Sequence, residues 1–391
     1  MTRKMATIRR IKQLLPIPGA DKIEIALVDG WQVVVKKGEF KEGELAVYFE
    51  IDSWVPTTIA PFLTKQGYDP KVYNGVPGER LKTIKLRKQL SQGLLLPVAS
   101  MTPLMNSADG FGPMILNEGD NVTETLGIQK WEAPEEKSSN NGTMAAKTRA
   151  FPYFIRKTDQ ERAQNFGHMI EQNLDTPMEV TVKKDGSSLT VFRVMPDSEY
   201  YEDAKALTGF KLSLWERIKN YVLRRKPDPV FGICSRNVLL PLNGNSNFHV
   251  AAAPLLMALA NDAEWSDARS LALQGELVAP DIQGNYEKVN GVEFHLFDIF
   301  DIDKQEYMLP VARRDFAFSN LINHVSIVDR GTLRNILQLK EGEDPVQKLL
   351  TYASGEGDNP GVMREGVVFK AETKDFSFKA ISNEYLLHKE G

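Results

Sequence analysis

Short runs of β-branched and aromatic residues, separated by turn-forming dipeptides, fill the first hundred residues of this chain. The dipeptides are Asp29-Gly30, Lys37-Gly38 and Glu42-Gly43. This spacing predicts short antiparallel strands with tight connections. The predicted strands are residues 23–28, 31–35, 45–50, 81–87 and 93–98. Five strands in about 100 residues favour a small β-barrel of the OB type.

The pattern changes after residue 130. Residues 131–149 are mostly polar and lack hydrophobic periodicity, which is typical of a flexible linker. Strand-like and helix-like segments follow, so we expect an OB-like domain at 1–130, a linker at 131–149 and an α+β domain of antiparallel sheets with flanking helices at 150–391. Its expected strands are 178–184, 188–195, 271–278, 292–300, 366–370 and 375–381, and its expected helices are 212–225, 247–261, 311–323 and 344–353.

The composition is that of a globular protein and excludes several classes. Hydrophobic residues make up 42% and charged residues 26% of the 391 positions. The single cysteine excludes an internal disulfide and a cysteine-rich zinc site. The net charge of −4 does not favour a polyanionic partner, although a local basic groove is enough to bind phosphates. No apolar run approaches the roughly 20 residues that cross a bilayer and no signal-peptide pattern is visible, so we expect a cytoplasmic or nuclear protein without a membrane partner.

The most informative segment is Lys-Lys-Asp-Gly at residues 183–186. Lys183 lies on the predicted strand 178–184, on which Val180 and Val182 point to the opposite face, and the Asp-Gly pair forms a tight turn. A lysine attacks phosphorus only as a neutral amine, so a catalytic Lys183 needs a site that lowers its pKa. A solvent-facing lysine beside a hairpin turn is the ordinary alternative, and Lys184 is a competing nucleophile.

Five further segments follow in order along the chain. They are Ser235-Arg236-Asn237, Gly275-Glu276-Leu277, Phe297-Asp298-Ile299, Glu365-Gly366-Val367 and Phe378-Lys379. Each has an ordinary explanation as a surface charge, a strand-edge charge or a core aromatic residue. Together with residues 183–186, the ordered set resembles motifs I, Ia, III, IIIa, IV and V of the covalent nucleotidyltransferases, which include polynucleotide ligases and capping enzymes.

The chain resembles one group within that class, the ATP-dependent RNA ligases with an N-terminal OB domain and a C-terminal nucleotidyltransferase domain. Residues 157–165 resemble the segment upstream of motif I in that group, and residues 378–387 resemble its terminus. The resemblance implies a nucleotidyltransferase (adenylation) domain at 150–391. It also implies an enzyme that joins 3′-hydroxyl and 5′-phosphate ends through a lysyl-AMP and an adenylylated 5′ end, with ATP and Mg²⁺ or Mn²⁺ as cofactors.

The resemblance also implies roles for matching residues. Lys183, Asp185, Glu365 and Lys379 would form the catalytic set, in which Asp185 and Glu365 would hold the metal. The implied nucleotide contacts are Arg162, Lys183, Gly186, Arg236, Glu276, Phe297 and Lys379.

Two of these assignments leave alternatives. Phe297 would stack on the purine, as aromatic side chains do on pocket walls, but Phe294 and Phe300 are also candidates. Many ligases have Lys-x-Lys in motif V, whereas Ser377 stands two residues before Lys379 and Ile381 two residues after it here. Only one lysine of that motif can therefore be assigned.

Three other functions compete with RNA ligation. They are a DNA ligase, an RNA-capping guanylyltransferase and a non-catalytic nucleic-acid-binding protein on a ligase scaffold. The OB-type region precedes the motifs, which favours the RNA ligase group. The implied substrate is RNA with a nicked duplex or broken ends, as in RNA repair, and an RNA–DNA hybrid and the oligomeric state stay open.

Two basic stretches are candidates for phosphate contacts. The segment 211–226 has six basic residues, one acid and an apolar face at helical spacing. The other stretch lies on one predicted OB strand and the turn after it, and it contains Arg80, Lys82, Lys85, Arg87 and Lys88. Either stretch could instead be a solvated charged face.

Overall fold

The computed structural model describes residues 3–101, 116–132, 149–210, 227–262 and 268–389. The chain divides into two compact units, Met1–Asn140 with Asn383–Gly391, and Asn141–Ser382. Residues 383–391, expected in the second domain from the sequence, group with the first unit. A short helix directly after a strand carries no glycine or proline signal that would mark a boundary there.

The first unit is built from short antiparallel strands. They are β1 (Ala6–Arg10), β2 (Gln13–Pro16), β3 (Ile23–Val28), β4 (Trp31–Lys36), β5 (Leu45–Phe49), β6 (Ser53–Pro56), β7 (Lys71–Tyr73), β8 (Val76–Arg80), β9 (Thr83–Leu86), β10 (Gln89–Gln92), β11 (Leu94–Pro97) and β12 (Gln129–Lys130). Their sheets have the orders β1-β5-β11, β2-β3-β4, β10-β9 and β12-β6-β8-β7. All five predicted strands are present, as β3, β4, β5, β9 and β11.

Strand β4 shows how the first unit forms its core. Trp31, Val33 and Val35 are buried and alternate with more exposed residues, as the period of two in a strand requires. They pack with Tyr48 of β5 and Leu95 of β11 in one apolar cluster. The core is thus assembled from strands that are far apart in the sequence.

The second unit contains two antiparallel sheets with helices around them. The strands are β13 (Arg149–Ala150), β14 (Pro177–Lys183), β15 (Ser187–Val194), β16 (Val230–Cys234), β17 (Val238–Leu240), β18 (Leu271–Val278), β19 (Glu293–Asp301), β20 (Glu306–Tyr307), β21 (Ile327–Thr332), β22 (Gly366–Ala371) and β23 (Ser377–Ile381). The helices are α1 (Gly167–Glu171), α2 (Tyr201–Thr208), α3 (Asn247–Asp262), α4 (Pro310–Ser319), α5 (Leu333–Ile336) and α6 (Pro345–Tyr352), and α7 (Asn383–Lys389) belongs to the first unit.

Consecutive strands β14 and β15 belong to different sheets. The seven-stranded sheet has the order β13-β17-β16-β15-β18-β19-β20, and the four-stranded sheet has the order β21-β14-β22-β23. The turn at residues 184–186 therefore connects two sheets. It does not close a hairpin, which was the ordinary alternative for this segment. The helices predicted at 247–261, 311–323 and 344–353 are present as α3, α4 and α6.

Some predictions lie outside the described residues. They include the helix at 212–225, the basic segment 211–226 and most of the linker. Cys234, the only cysteine, ends β16 and is fully buried. Among the helices of the described ranges, none has both the length and the apolar character to cross a membrane.

Candidate active site

Lys183 lies at the end of β14, directly opposite Gly366 of β22. Glu365 precedes that glycine, and Lys183 Nζ donates a hydrogen bond to Glu365 Oε2 at 2.6 Å. The two side chains are 26% and 16% exposed, so the pair lies at an accessible edge. Strand pairing therefore brings together the motif I lysine and the motif IV glutamate predicted from the sequence.

Glu276 of β18 joins this pair from the other sheet. Its Oε1 accepts a hydrogen bond from Gly186 N at 3.1 Å. Burial raises the pKa of Glu276 to about 7; Lys183 opposes the shift, and Glu365 and Asp185 add to it. A lysine and three carboxylates thus converge where the two sheets are joined.

The surroundings of Lys183 change its pKa in the direction opposite to the sequence-based expectation. Burial lowers the pKa of Lys183, but the charges of Glu365, Glu276 and Asp185 raise it, and the net pKa is above its ordinary value. The sequence identified the lysine but could not show how many carboxylates lie close to it in space. The amine therefore holds its proton until positive charge offsets these carboxylates.

Gly186 is required by the close approach of the two sheets. A Cβ at this position would lie 2.4 Å from Leu277 O and 2.9 Å from Glu276 Cγ. Any larger residue would push the turn away from β18. The Asp-Gly pair therefore serves close packing here, not the hairpin geometry for which this pair is usually chosen.

Lys184 does not share the position of Lys183. Its side chain is 2% exposed and forms ion pairs with Glu287 and Asp358. A buried, doubly paired amine is poorly placed to meet a nucleotide, which favours Lys183 as the nucleophile.

Lys379 and the segment 157–165 lie beside each other. Lys379 Nζ donates to Asp159 Oδ1 at 3.1 Å, and Lys379 N donates to Glu161 O at 2.9 Å. The backbones of Arg162 and Lys379 form an isolated parallel bridge. Lys379 lies opposite Val368 of β22, two positions from the Gly366 register, so it shares the sheet face of Lys183.

The position after Lys379 at which the second lysine of motif V could stand is occupied by a buried isoleucine. Ile381 is 4% exposed and lies opposite Gly366. It shares the sheet face of Lys183 and Lys379 by the same register. An apolar side chain therefore stands where many ligases have a second cation.

The three phenylalanines of β19 have different surroundings. Phe294 and Phe300 are 7% and 0% exposed and belong to two separate apolar clusters. Phe297 is only half-buried. It is therefore the one of the three that is not fully part of a core, and its role as the stacking residue stays a prediction.

A buried ionic network, not predicted from the sequence, binds the backbone carbonyl of Phe297. Lys370 Nζ of β22 donates to Phe297 O at 2.6 Å and to Asp298 Oδ1 at 2.5 Å. Arg313 Nη1 lies 3.6 Å from Asp298 Oδ1, and Arg313 also pairs with Glu179 of β14. Burial lowers the pKa of Lys370 to about 8. Charged residues inside apolar strands were the only signal in the sequence, and it did not identify their partners.

Arg236 is separate from these groups. It lies in the turn between β16 and β17 and its side chain is exposed. Among the described residues, no hydrogen bond or ion pair joins Arg236 to the cluster around Lys183.

The basic residues of the first unit divide into two sets. Lys82, Lys85, Arg87 and Lys88 are exposed on and beside the β9–β10 hairpin. Arg80, by contrast, ends β8, bonds Asp52 Oδ1 at 2.5 Å through Nη2, and places its guanidinium 3.8 Å from the Trp131 ring centroid. The sequence predicts all five on one strand and its turn, but Arg80 belongs to a separate strand and is bound by Asp52 and Trp131.

The carboxylates near Lys183 suit a hydrated divalent cation. Within the described ranges, no three acidic, histidine or cysteine side chains form a ready-made metal cage. Asp185 and Glu365 nevertheless both lie close enough to Glu276 to raise its pKa. Magnesium prefers such oxygen donors and keeps several of its waters, so it needs fewer protein ligands than a full cage.

A lysine surrounded by carboxylates at the junction of two antiparallel sheets is the arrangement expected of the covalent nucleotidyltransferases. Family models match two parts of this chain: an OB-fold domain at residues 5–98 and an RNA ligase domain at residues 176–381. The second match covers more than half of the chain. The chain therefore belongs to the RNA ligase family, and the predicted pair of an N-terminal OB fold and a C-terminal ligase domain is confirmed.

Solved structures of Naegleria gruberi RNA ligase resemble the whole chain. A variant with ATP and Mn is 38% identical, with a TM-score of 0.74 over 99% of this chain and 100% of that one. A variant with AMP and Mn has the same identity and TM-score over 100% of both chains. The form with PPi is 38% identical, with a TM-score of 0.71 over 100% of both. No curated protein matches the chain. The chain is thus an enzyme of the RNA ligase class, and RNA is its class of substrate.

Proposed function

We propose that this RNA ligase uses ATP and a divalent cation, Mg²⁺ or Mn²⁺, and seals RNA ends through a lysyl-AMP on Lys183. The observation that carries the proposal is the 2.6 Å contact between Lys183 Nζ and Glu365 Oε2, with Glu276 and Asp185 close enough to shift the pKa of Lys183. The related Naegleria ligase structures with ATP, AMP, PPi and Mn support the same cofactors.

The reaction has three transfers at phosphorus. First, Lys183 Nζ loses a proton and attacks the α-phosphorus of ATP, so an N–P bond forms and pyrophosphate leaves. Second, an oxygen of the RNA 5′-phosphate attacks that phosphorus, AMP moves to the RNA and the lysine amine is restored. Third, the 3′-hydroxyl attacks the activated 5′-phosphate, and AMP leaves. Positioning and charge neutralisation carry most of such catalysis.

Each site residue has a proposed task. Asp185 and Glu365 would hold the cation through its water shell. When bound there, the cation supplies positive charge that offsets the carboxylates and lets the amine lose its proton. Lys379 would hold the α-phosphate, and Glu276 would accept hydrogen bonds from the ribose.

The remaining nucleotide contacts follow the same logic. Phe297 would stack on the adenine, and Arg162 and Arg236 would donate forked hydrogen bonds to phosphate or ribose oxygens. Gly186 would contact the nucleotide through its backbone, because the turn it forms packs directly against Glu276. The exposed position of Arg236 suits a group that meets its ligand only on binding.

The preferred RNA is a nicked duplex or a broken end, as in RNA repair, and an RNA–DNA hybrid is a further candidate. ATP and such ends are found inside cells, so we place the enzyme in the cytoplasm or nucleus. The first unit would grip the polynucleotide.

The test of the proposal uses α-labelled ATP or GTP with Mg²⁺ or Mn²⁺, followed by denaturing electrophoresis and peptide mapping. We expect label from ATP on Lys183 only. Label from GTP but not ATP, or AMP mapped to Lys184, would overturn the assignment.

The nucleic-acid grip is tested on the β9–β10 hairpin. Replacing Lys85, Arg87 and Lys88 with alanine should weaken RNA binding. The slope of the logarithm of the binding constant against the logarithm of the salt concentration should become less negative, by up to about 0.7 to 0.9 per lost phosphate contact. The matched control Arg80→Ala should lower thermal stability instead, because Arg80 pairs with Asp52 and Trp131. An unchanged salt slope in the triple variant would exclude the hairpin as the grip.

A further inference from the structure

Lys184 has a role in the structure that the motif does not assign. Its Nζ lies 2.6 Å from Asp358 Oδ2 and 3.4 Å from Glu287 Oε2. Lys184 and Glu287 are almost fully buried, at 2% and 3% exposure of their side chains. Two carboxylates from different loops therefore share one buried cation.

Glu287 connects this cation to the catalytic turn. One carboxylate oxygen, Oε2, faces Lys184, and the other, Oε1, accepts a hydrogen bond from Asp185 N at 3.0 Å. The backbone directly after Lys183 is therefore held by the same side chain that pairs with Lys184.

The other carboxylate, Asp358, lies in the loop that leads into Glu365. This loop is tied to the Glu287 segment by two further hydrogen bonds, from Asn359 Nδ2 to Glu287 O at 2.6 Å and from Tyr286 Oη to Met363 O at 2.7 Å. Within the loop, Glu356 and Met363 form an antiparallel bridge, so movement of one arm displaces the other.

We propose that Lys184 is a positioning residue for AMP transfer: by pairing with Glu287 and Asp358 it locks the turn that carries Lys183 against the loop that carries Glu365. The inference rests on the proposed function of Lys183 as nucleophile. Without the cation, the ion pairs that join the two segments are lost, and the buried Glu287 carboxylate and the partly exposed Asp358 carboxylate repel each other. A displacement of about 1 Å at a reacting group is enough to cost roughly 10²-fold in rate.

The test is Lys184→Met, which keeps the length and apolar stem but removes the charge. We expect the rate of lysyl-AMP formation at saturating ATP to fall about 100-fold, while the KM for ATP stays within about threefold. Sealing of a pre-adenylylated RNA nick should stay within about threefold of wild type, because Lys183 forms no bond in that step. A purely structural role would lower all steps together, in proportion to the folded fraction.

The matched control is Lys288→Met. Lys288 is exposed and also joins the two segments, through a hydrogen bond from Nζ to Gly361 O at 3.2 Å. We expect lysyl-AMP formation in this variant within about twofold of wild type, since an exposed hydrogen bond contributes little. An equal loss in both variants would overturn the special role of the buried cation.

A second variant keeps the proposal falsifiable if Lys184→Met folds poorly. Lys184→Met combined with Glu287→Gln and Asp358→Asn removes all three charges, so the repulsion disappears but the ion pairs that lock the two segments are not restored. If this triple variant folds and still forms lysyl-AMP slowly, the positioning role holds; wild-type rates would overturn it. Absence of label on the wild-type enzyme would instead sink the proposed function itself, so the two failures are distinguishable.

Discussion

Two lysines on neighbouring strands of the four-stranded sheet have opposite electrostatic surroundings. Lys183 ends β14 beside Asp185, Glu276 and Glu365; although burial lowers its pKa, these carboxylates raise the pKa above its ordinary value. Lys370 lies at the far end of β22, where burial lowers its pKa to about 8 despite the pairing with Asp298. One sheet thus holds one lysine that is strongly protonated and one that is close to losing its proton.

The difference lies in the balance of charge. Around Lys370, the cations Arg313, Arg314 and Lys370 face the carboxylates of Glu179 and Asp298, and all are joined in a chain of ion pairs. Around Lys183, a single amine faces three carboxylates. An excess of partly buried negative charge is costly unless a cation arrives. An excess of carboxylates over cations therefore distinguishes the ligand site from the structural network, in which three cations face two carboxylates.

The largest expected effect is the loss of the nucleophile. Lys183→Arg keeps the positive charge but cannot provide a neutral amine, so we expect no detectable AMP adduct and an unchanged fold by circular dichroism. Sealing of a pre-adenylylated nick should persist in this variant. A normal adduct yield would show that Lys183 is not the nucleophile. The contrast between a catalytic Lys183 and a structural Lys370 would then fail.

The next effect concerns the charges beside the nucleophile. Glu365→Ala and Lys379→Ala should each lower sealing of 5′-phosphate ends by roughly 10³-fold or more, because both act where charge develops. Glu372→Ala is the matched control: this carboxylate pairs with Arg330 at the surface, and its loss should leave sealing within about twofold. Near-normal rates for both site variants would contradict the motif IV and V assignments.

The third prediction concerns Lys370, whose lowered pKa should make the free energy of unfolding depend on pH. In wild type, the unfolded chain binds more protons at Lys370 than the folded one between about pH 8 and pH 10.4. Stability therefore rises with pH through that window, and Lys370→Met removes the rise. We expect the wild-type free energy of unfolding, relative to the variant, to increase by about 2 kcal/mol from about pH 7.5 to 9.5 in denaturant titrations.

The exposed Lys374 supplies the control for that experiment. The pH curve of Lys374→Met should run parallel to that of wild type. A constant difference between wild type and Lys370→Met would mean that the Lys370 amine keeps an ordinary pKa, and that the two ends of the sheet do not differ as described.

The smallest effect concerns Phe297, whose backbone carbonyl accepts a hydrogen bond from Lys370. Phe297→Leu should raise the KM for ATP about tenfold and change kcat less, because stacking contributes about 1–3 kcal/mol and leucine keeps part of the apolar wall. Phe300→Leu should instead lower the melting temperature with little change in KM, since Phe300 is a core residue. The reverse result would exchange the roles of the two aromatic side chains.

Sequence reasoning located the strands that carry the site because their pattern is local. β14, β15, β18, β19, β22 and β23 were each predicted to within two residues at both ends. Strands such as β13 and β20 have two residues each and exist only through pairing with β17 and β19. No periodicity can show in so short a run, which is why they were missed.

The candidate site was predictable as a set of residues but not as an electrostatic environment. Lys183 and Glu365 were found through their motifs. Because 182 positions separate them in the sequence, no local pattern could show that they pair. The buried pairing of Lys184 and the network of Lys370 depend on partners in distant loops and strands, and a single sequence does not reveal such pairs. For the same reason the direction of the Lys183 pKa shift was wrong.

Cys234 makes this enzyme convenient for spectroscopy. It is the only cysteine, its side chain is buried, and burial raises the pKa of its thiol. Thiol-reactive dyes attack the thiolate, so the native protein should remain unlabelled. A cysteine introduced by Leu86→Cys, beside the tip of the exposed hairpin, would be the sole reactive thiol. A single fluorophore could then follow the meeting of that hairpin with RNA in real time, without any native cysteine having to be replaced.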